Sequence, residues 1–148
     1  MFLDLQKKLN HKRKYDNIVV FNVLEHLNNL DSSLQNLFSL LKKGGRVLGS
    51  TPFIYRIHGA PKDYNRFTKD YLIQILKEKK FKKIEVEELG LGPFLASFSL
   101  LRGFFKYLPI IYQFLLILCV FIDKTLFFIM KTDPKKIYPI GYIFSAYK

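Results

Sequence analysis

The residues able to do chemistry in this sequence fall into two short clusters. The first is Asn22-Val-Leu-Glu25-His26, where an amide, a carboxylate and an imidazole lie within five positions. An imidazole changes charge near neutral pH and moves protons there. His26 is therefore a candidate general base, and packing that stabilises its loop is the competing role. Glu25 is placed to orient His26 or to cap a following helix, and the cap is the plainer reading. The second cluster is His58-Gly-Ala-Pro-Lys-Asp63-Tyr64-Asn-Arg66-Phe67-Thr68. Asp63 and Arg66 are spaced to pair with each other, although the planar fork of Arg66 also suits a phosphate or carboxylate. Tyr64 and Phe67 suit anchoring of the loop on a core. The single cysteine, Cys119, excludes an intrachain disulfide and a cysteine metal cluster. Inside an apolar run it reads as a buried, inert thiol.

These clusters need elements to hold them. Ile18-Val19-Val20-Phe21 is short, β-branched and apolar without alternation, the pattern of a parallel strand buried on both faces. Asn28, Asn29 and Asp31 offer N-caps for a helix whose Leu30, Leu34, Leu37, Phe38 and Leu41 recur at helical spacing. Lys42 and Lys43 suit the negative end of that helix, and Gly44 suits the position past it. A strand follows over Arg46 to Thr51, stopped by Pro52. Residues 52–67 read as a loop, and Thr68 as the cap of a helix carrying Tyr71, Leu72, Ile75 and Leu76. Residues 83–87 alternate as a half-exposed strand, and 138–147 read as a last strand. Strands alternating with helices predict an α/β layer fold.

The chain has 148 residues and a net charge of +12, with 49% hydrophobic residues, so one domain with a real core is expected. Positive charge admits nucleic acid, an anionic membrane or an acidic substrate. Lys7, Lys8, Lys12, Arg13 and Lys14 form one basic cluster, and Lys77, Lys79, Lys80, Lys82 and Lys83 another, in which acidic residues are interspersed. Both read as solvated faces. No nucleic-acid motif is present, and no nucleic-acid partner is expected. Charges interrupt residues 1–15 where a secretory signal needs an apolar core, so the cytoplasm or the cytoplasmic face of the membrane is the expected location.

Three segments together resemble the C-terminal half of class I S-adenosylmethionine-dependent methyltransferases of the type 11-like group. Tyr15-Asp16-Asn17-Ile18 through Leu24-Glu25-His26-Leu27 is similar to the family's fourth strand and the loop after it. Leu40-Leu41-Lys42-Lys43-Gly44-Gly45 is similar to its L-L-K-x-G-G turn. Pro52-Phe53 and His58 to Thr68 are similar to a substrate-side segment of one subgroup. The resemblance implies a Rossmann-like sheet of strands four to seven, a hydrophobic helical insert before the last strand, and S-adenosyl-L-methionine as cofactor. The whole of 1–148 then reads as a partial methyltransferase domain. It places Asn22, Glu25 and His26 beside the transferred methyl group, with Asn22 toward the cofactor, and His58, Asp63, Tyr64 and Arg66 over the acceptor. No metal is the primary expectation. Some related O-methyltransferases hold a divalent ion with an E-x-x-E-H loop, however, so Glu25, His26 and His58 form an alternative, thin metal set in which Asn22 replaces the first acid.

The family's Gly-rich E-x-G-x-G cofactor loop has no counterpart, because the first glycine is Gly44. This predicts a fragment, or a half completed by a missing N-terminal half in trans, inactive or nearly so alone. An unpartnered strand four would be a sticky edge. The acceptor is unidentified. Residues 94–130 form the hydrophobic insert or cap, with a charge-free run from Tyr107 to Ile122, bounded by Lys106, Asp123 and Lys124. Spanning length is reached only by burying Asp123 and Lys124. A helical cap lying on the membrane is favoured over a spanning or a buried core helix. It would suit an amphiphilic or lipid-linked acceptor. The alternative function is a noncatalytic, membrane-associated remnant or interaction protein.

Overall fold

The computed structural model describes residues 4–7, 9, 12–59, 62–105 and 107–148. Lys8, Lys106 and the Ala60-Pro61 step, each used in the sequence argument, lie outside the described residues. The chain forms two compact units. One comprises residues up to 51 with 58–87 and 143–148, and the other comprises 52–57 and 88–142.

Strand β1 (Tyr15–Phe21) and helix α1 (Leu30–Leu40) open the first unit. Asn29 is the N-cap of α1, its side chain accepting the Ser32 N–H at 3.1 Å. Of the expected stripe, Leu34 and Leu37 are buried and Leu30 and Phe38 half-buried; Leu40 joins the buried side, and Leu41 is buried as the first residue of the next strand, because the helix ends at Leu40. The cations at the C-terminal end are not Lys42 and Lys43. Lys148 Nζ donates to the Phe38 carbonyl at 2.7 Å and Lys14 Nζ to the Ser39 carbonyl at 2.8 Å. Lys42 is instead paired with Asp16 at 2.8 Å. Sequence neighbours point along the next strand, whereas the helix end is met by chain distant in sequence.

Strand β2 (Leu41–Pro52) starts earlier than Arg46 and contains the Gly-Gly turn as an irregularity. Gly44 has φ +77, a left-handed conformation that glycine adopts without penalty, and its N–H donates to the Lys148 carbonyl at 3.1 Å. From Arg46 onward β2 runs parallel to β1, with Val19 opposite Leu48. Helix α2 (Lys69–Glu78) is capped by Thr68 as expected, and buries Leu72, Ile75 and Leu76. Strands β3 (Lys82–Leu89) and β4 (Gly141–Tyr147) complete a sheet of order β1-β2-β4-β3. Reciprocal bonds between Lys148 and Gly44-Gly45 at one end, and Phe53 N–H to Ile140 O at the other, set β4 antiparallel to β2. Gly49 lets the Phe144 ring close over the sheet, since a Cβ there would lie 2.2 Å from Phe144 Cζ.

The expectation that β1 is buried on both faces is overturned. Val20 is buried, but Val19 is 58% and Phe21 50% exposed. Val19 and Phe21 share one face of the sheet and Val20 lies on the other, so one face of β1 is left uncovered, and β1 also ends the sheet, with β2 on one side only among the described residues.

In the second unit, α3 (Pro93–Leu101) packs on α4 (Pro109–Ile129), and a short α5 (Pro134–Ile137) follows. Phe98 meets Tyr112 at 5.2 Å and Phe105 at 5.8 Å between ring centroids. Helix α4 does not stop at Asp123. The Asp123 carboxylate, 1% exposed, accepts the Phe94 N–H at 3.1 Å and the Leu95 N–H at 2.8 Å, so the otherwise unsatisfied start of α3 absorbs the charge. Lys124 stays exposed. Cys119 is half-buried rather than buried. The last strand begins at Gly141, not at 138, because Asp133 caps the short α5 first.

Candidate functional site

The end of β1 leads into the site. Asn22 has φ 49, and its backbone N–H donates to Ser50 O at 3.0 Å while its side-chain oxygen accepts from Ser50 Oγ at 3.1 Å. The chain then makes one 3-10 turn, Leu24–His26. That turn buries Leu24 and Glu25 completely and leaves His26 partly open, with 17% of its side chain exposed.

The loop from His58 is fastened to this turn through backbone groups. Tyr64 and Asn65 N–H both donate to the Glu25 carbonyl, at 2.8 and 3.2 Å, and Asn65 Nδ2 donates to Leu27 O at 2.8 Å. Phe67, 1% exposed, is the loop's core anchor, whereas the Tyr64 side chain is 46% exposed. Arg66 grips Asp63 with both arms of its fork, at 2.5 and 2.6 Å. That bond chiefly holds the Asp63 carboxyl far below its ordinary range and raises the Arg66 guanidinium. Asp63 Oδ2 in turn accepts the His58 backbone N–H at 3.0 Å and faces His58 Nδ1 at 3.3 Å.

His26, Glu25 and His58 are brought together. His26 Nδ1 lies 2.6 Å from the Lys62 carbonyl. A carbonyl only accepts, so the Nδ1 proton is fixed there and Nε2 is the free nitrogen of the neutral ring. Asp63 faces Nδ1 of His58 in the same way and turns that ring's Nε2 toward Glu25. Both Nε2 atoms lie 3.8 Å from Glu25 Oε1. The two rings meet edge to face at 5.1 Å. Neither Glu25 oxygen has a hydrogen-bond partner, although the side chain is wholly buried. Burial is the largest effect on this carboxyl and raises its pKa. The backbone, His26, His58 and Arg66 act in the opposite direction.

Glu25 thus neither caps α1, a task Asn29 performs, nor hydrogen-bonds His26 into place, which Lys62 O does. Lys62 was invisible to sequence reasoning because its backbone, not its side chain, carries the role. One carboxylate oxygen and two imidazole nitrogens, all within 4.8 Å of one another, form a donor set able to receive a cation. A divalent ion bonded at about 2.1 Å brings its ligands to roughly 3–3.5 Å apart, so the set fits after a small contraction. The orphaned carboxylate favours such an occupant or a proton. For S-adenosyl-L-methionine the fit is partial. The turn after β1 offers Asn22, but the sequence holds no E-x-G-x-G loop.

Residues 3–91 match the family described as methyltransferase domain. No curated protein sequence matches the chain. Among solved structures, phosphoethanolamine N-methyltransferase 2 of Haemonchus contortus, in complex with phosphomonomethylethanolamine and S-adenosylhomocysteine, is similar at TM-score 0.57 and 16% identity, covering 98% of this chain and 36% of that one. An S-adenosylmethionine-dependent methyltransferase from Mesorhizobium loti is similar at TM-score 0.57 and 15% identity, covering 99% and 67%. One from Archaeoglobus fulgidus gives TM-score 0.54 and 16% identity, covering 92% and 60%. The chain spans about a third of the Haemonchus enzyme's length. Identities this low carry the fold alone, and the family match covers more than half of the chain. With an open α/β sheet and the 15–68 motifs in place, the chain belongs to the methyltransferase-domain family of class I enzymes, whose cofactor is S-adenosyl-L-methionine.

Proposed function

We propose that this chain supplies the acceptor side of an S-adenosylmethionine-dependent methyltransferase centre, with His26 Nε2 receiving the acceptor's proton. The observation that carries the reading is the buried Glu25 carboxylate, unbonded at both oxygens and faced by two imidazole Nε2 atoms at 3.8 Å. The cofactor supplies an electrophilic methyl group when bound. His26, aimed by the Lys62 carbonyl, takes the proton that the acceptor loses, and Glu25 stabilises the imidazolium that results. Arg66 holds Asp63, and Asp63 aims His58. Without a Gly-rich loop, the 148-residue chain is inactive or nearly so by itself. The acceptor is amphiphilic or lipid-linked, and the protein works in the cytoplasm or at the cytoplasmic membrane face. A noncatalytic, membrane-associated protein is the competing function.

A second reading is favoured by the same convergence: Glu25, His26 and His58 hold a divalent ion. Two imidazoles and one carboxylate suit zinc, manganese, cobalt or ferrous iron better than magnesium or calcium. The ion would act as a Lewis acid on the acceptor oxygen. Titration with Co2+, read by visible absorption, separates the two. Saturable binding abolished by Glu25→Gln supports the metal reading. Absence of binding, together with loss of methyl transfer on His26→Asn in the chain completed by an N-terminal cofactor segment, supports the base. Retained transfer in both variants overturns both.

A further inference from the structure

The longest helix of the second unit keeps an apolar face uncovered. Ile110, Phe114, Ile117, Phe121 and Phe128 recur at 4, 3, 4 and 7 residues, which is one stripe of α4. Their exposures run from 66% at Phe114 and Phe121 to 85% at Ile110 and 86% at Phe128. The opposite face carries Tyr112 and Asp123, which contact α3 residues or the residues just after it. A contiguous apolar strip of this length marks an interaction surface.

Basic residues frame the strip. Lys124 and Lys131 are exposed toward its C-terminal end. At its start lies a cavity of about 640 Å3 lined by Arg56, Arg102, Gly103, Phe105, Pro109 and Tyr112. The Arg56 guanidinium lies 3.8 Å from where a side chain at Gly103 would begin, so it sits on the turn between α3 and α4. Two guanidiniums at the mouth of an apolar helix match a phosphate group whose attached body is hydrocarbon.

We propose that the second unit docks on an anionic phospholipid bilayer, with α4 lying in the interface and the Arg56–Arg102 cavity receiving a lipid phosphate. Length and charge decide the posture. By length and composition the 21 residues of α4 could cross a membrane, but its charge-free stretch 109–122 extends only about 21 Å, short of the ~30 Å hydrocarbon layer, and crossing would carry Asp123 and Lys124 into it. Asp123 is turned inward onto α3 and does not obstruct the outer face. One side of α4 is held by α3, so the helix meets a membrane with its other, apolar side and lies along the surface instead of crossing it. A second copy of the chain is the poorer occupant, because each copy carries +12 and would bring the same basic ends to the contact.

The test is flotation of the purified 148-residue chain, without cofactor, on phosphatidylcholine vesicles and on vesicles also containing phosphatidylglycerol. The chain is expected to float with the anionic vesicles. Phe114→Glu with Ile117→Glu should reduce binding roughly a hundredfold. Arg56→Ala with Arg102→Ala should reduce binding to anionic vesicles by roughly 10- to 30-fold and the weak binding to phosphatidylcholine, whose ammonium offsets its phosphate, by less. Circular dichroism matching the parent shows that each variant is folded, and Lys131→Glu, outside the hydrophobic helix, should give a smaller loss in the same direction. Equal binding to both vesicle types overturns the proposal. So does displacement by millimolar inorganic phosphate, which would make free phosphate the ligand, or an α4-dependent dimer in light scattering that does not bind vesicles. None of these outcomes bears on the Glu25–His26–His58 reading, which is tested by metal titration and methyl transfer.

Discussion

Glu25 and Asp63 are both buried carboxylates, yet they titrate in opposite directions. Asp63 receives a bidentate guanidinium, while the Glu25 carboxylate oxygens receive no hydrogen bond. The consequences for stability differ in sign. A folded pKa lying above the unfolded value means that the folded state binds the proton more tightly. Stability from Glu25 therefore falls as pH rises from about 4.5 to its raised value. Asp63 is depressed, so its contribution is complete above its ordinary 3.8 and is lost as pH falls below that. Urea unfolding across pH 3 to 8 should show both limbs. Glu25→Gln should remove the decline on the alkaline side and raise stability at pH 7 by about 1–2 kcal/mol, since a neutral amide is cheaper to bury. An unchanged slope in that variant would mean that Glu25 is not the titrating group. The residue types here were legible from the sequence. The Asp63–Arg66 pair was legible too, being three positions apart, but the state of Glu25 was not, because its burial and its two imidazole neighbours depend on chain more than 30 positions away as well as on the turn itself.

At the level of elements, local signals performed well wherever the partner was also local. Thr68 and Asn29 cap the helices that follow them, and Leu34 and Leu37 of α1 are buried as their spacing demands. They performed poorly where the partner was distant. Lys42 and Lys43 lost the end of α1 to Lys148, and α4 ran on through Asp123 because a helix 28 positions earlier offered two free N–H groups. Asp123→Ala should therefore cost about 2 kcal/mol by uncapping α3. Hydrogen exchange at the Phe94 and Leu95 amides should accelerate roughly tenfold or more, while exchange in α2 stays at its original rate. Equal acceleration in both would indicate global loss of stability and not an uncapped helix.

For the molecule as a whole, exposed apolar surface is its dominant feature. Besides α4, the edge strand β1 has Val19 and Phe21 half open on one face, and a cavity of about 360 Å3 is lined in part by Leu5, Ile18, Val23 and Leu37. An open strand edge of this kind recruits another strand. Val19→Lys, which places a charge on the open face of this edge strand, should lower concentration-dependent association in sedimentation velocity without altering vesicle binding. No change in association would remove β1 as the contact. Isothermal titration with S-adenosylhomocysteine should show no saturable binding at micromolar concentrations for these 148 residues, and a micromolar Kd would overturn the proposal that cofactor binding needs a Gly-rich loop.

Sequence alone determined the class of fold, the family and which two loops hold the candidate site residues. Strand periodicity, caps and the 15–68 motifs depend on neighbours a few residues apart, and those neighbours are written in order along the chain. Tertiary structure decided what those residues face. It left one face of β1 open, because what packs over a strand, and not the strand's composition, sets its burial. It turned Asp123 inward onto the start of α3. It also brought His58 to the same carboxylate as His26 and aimed both rings from behind. Such convergence depends on distances between segments that are remote in sequence, and only the folded chain fixes them.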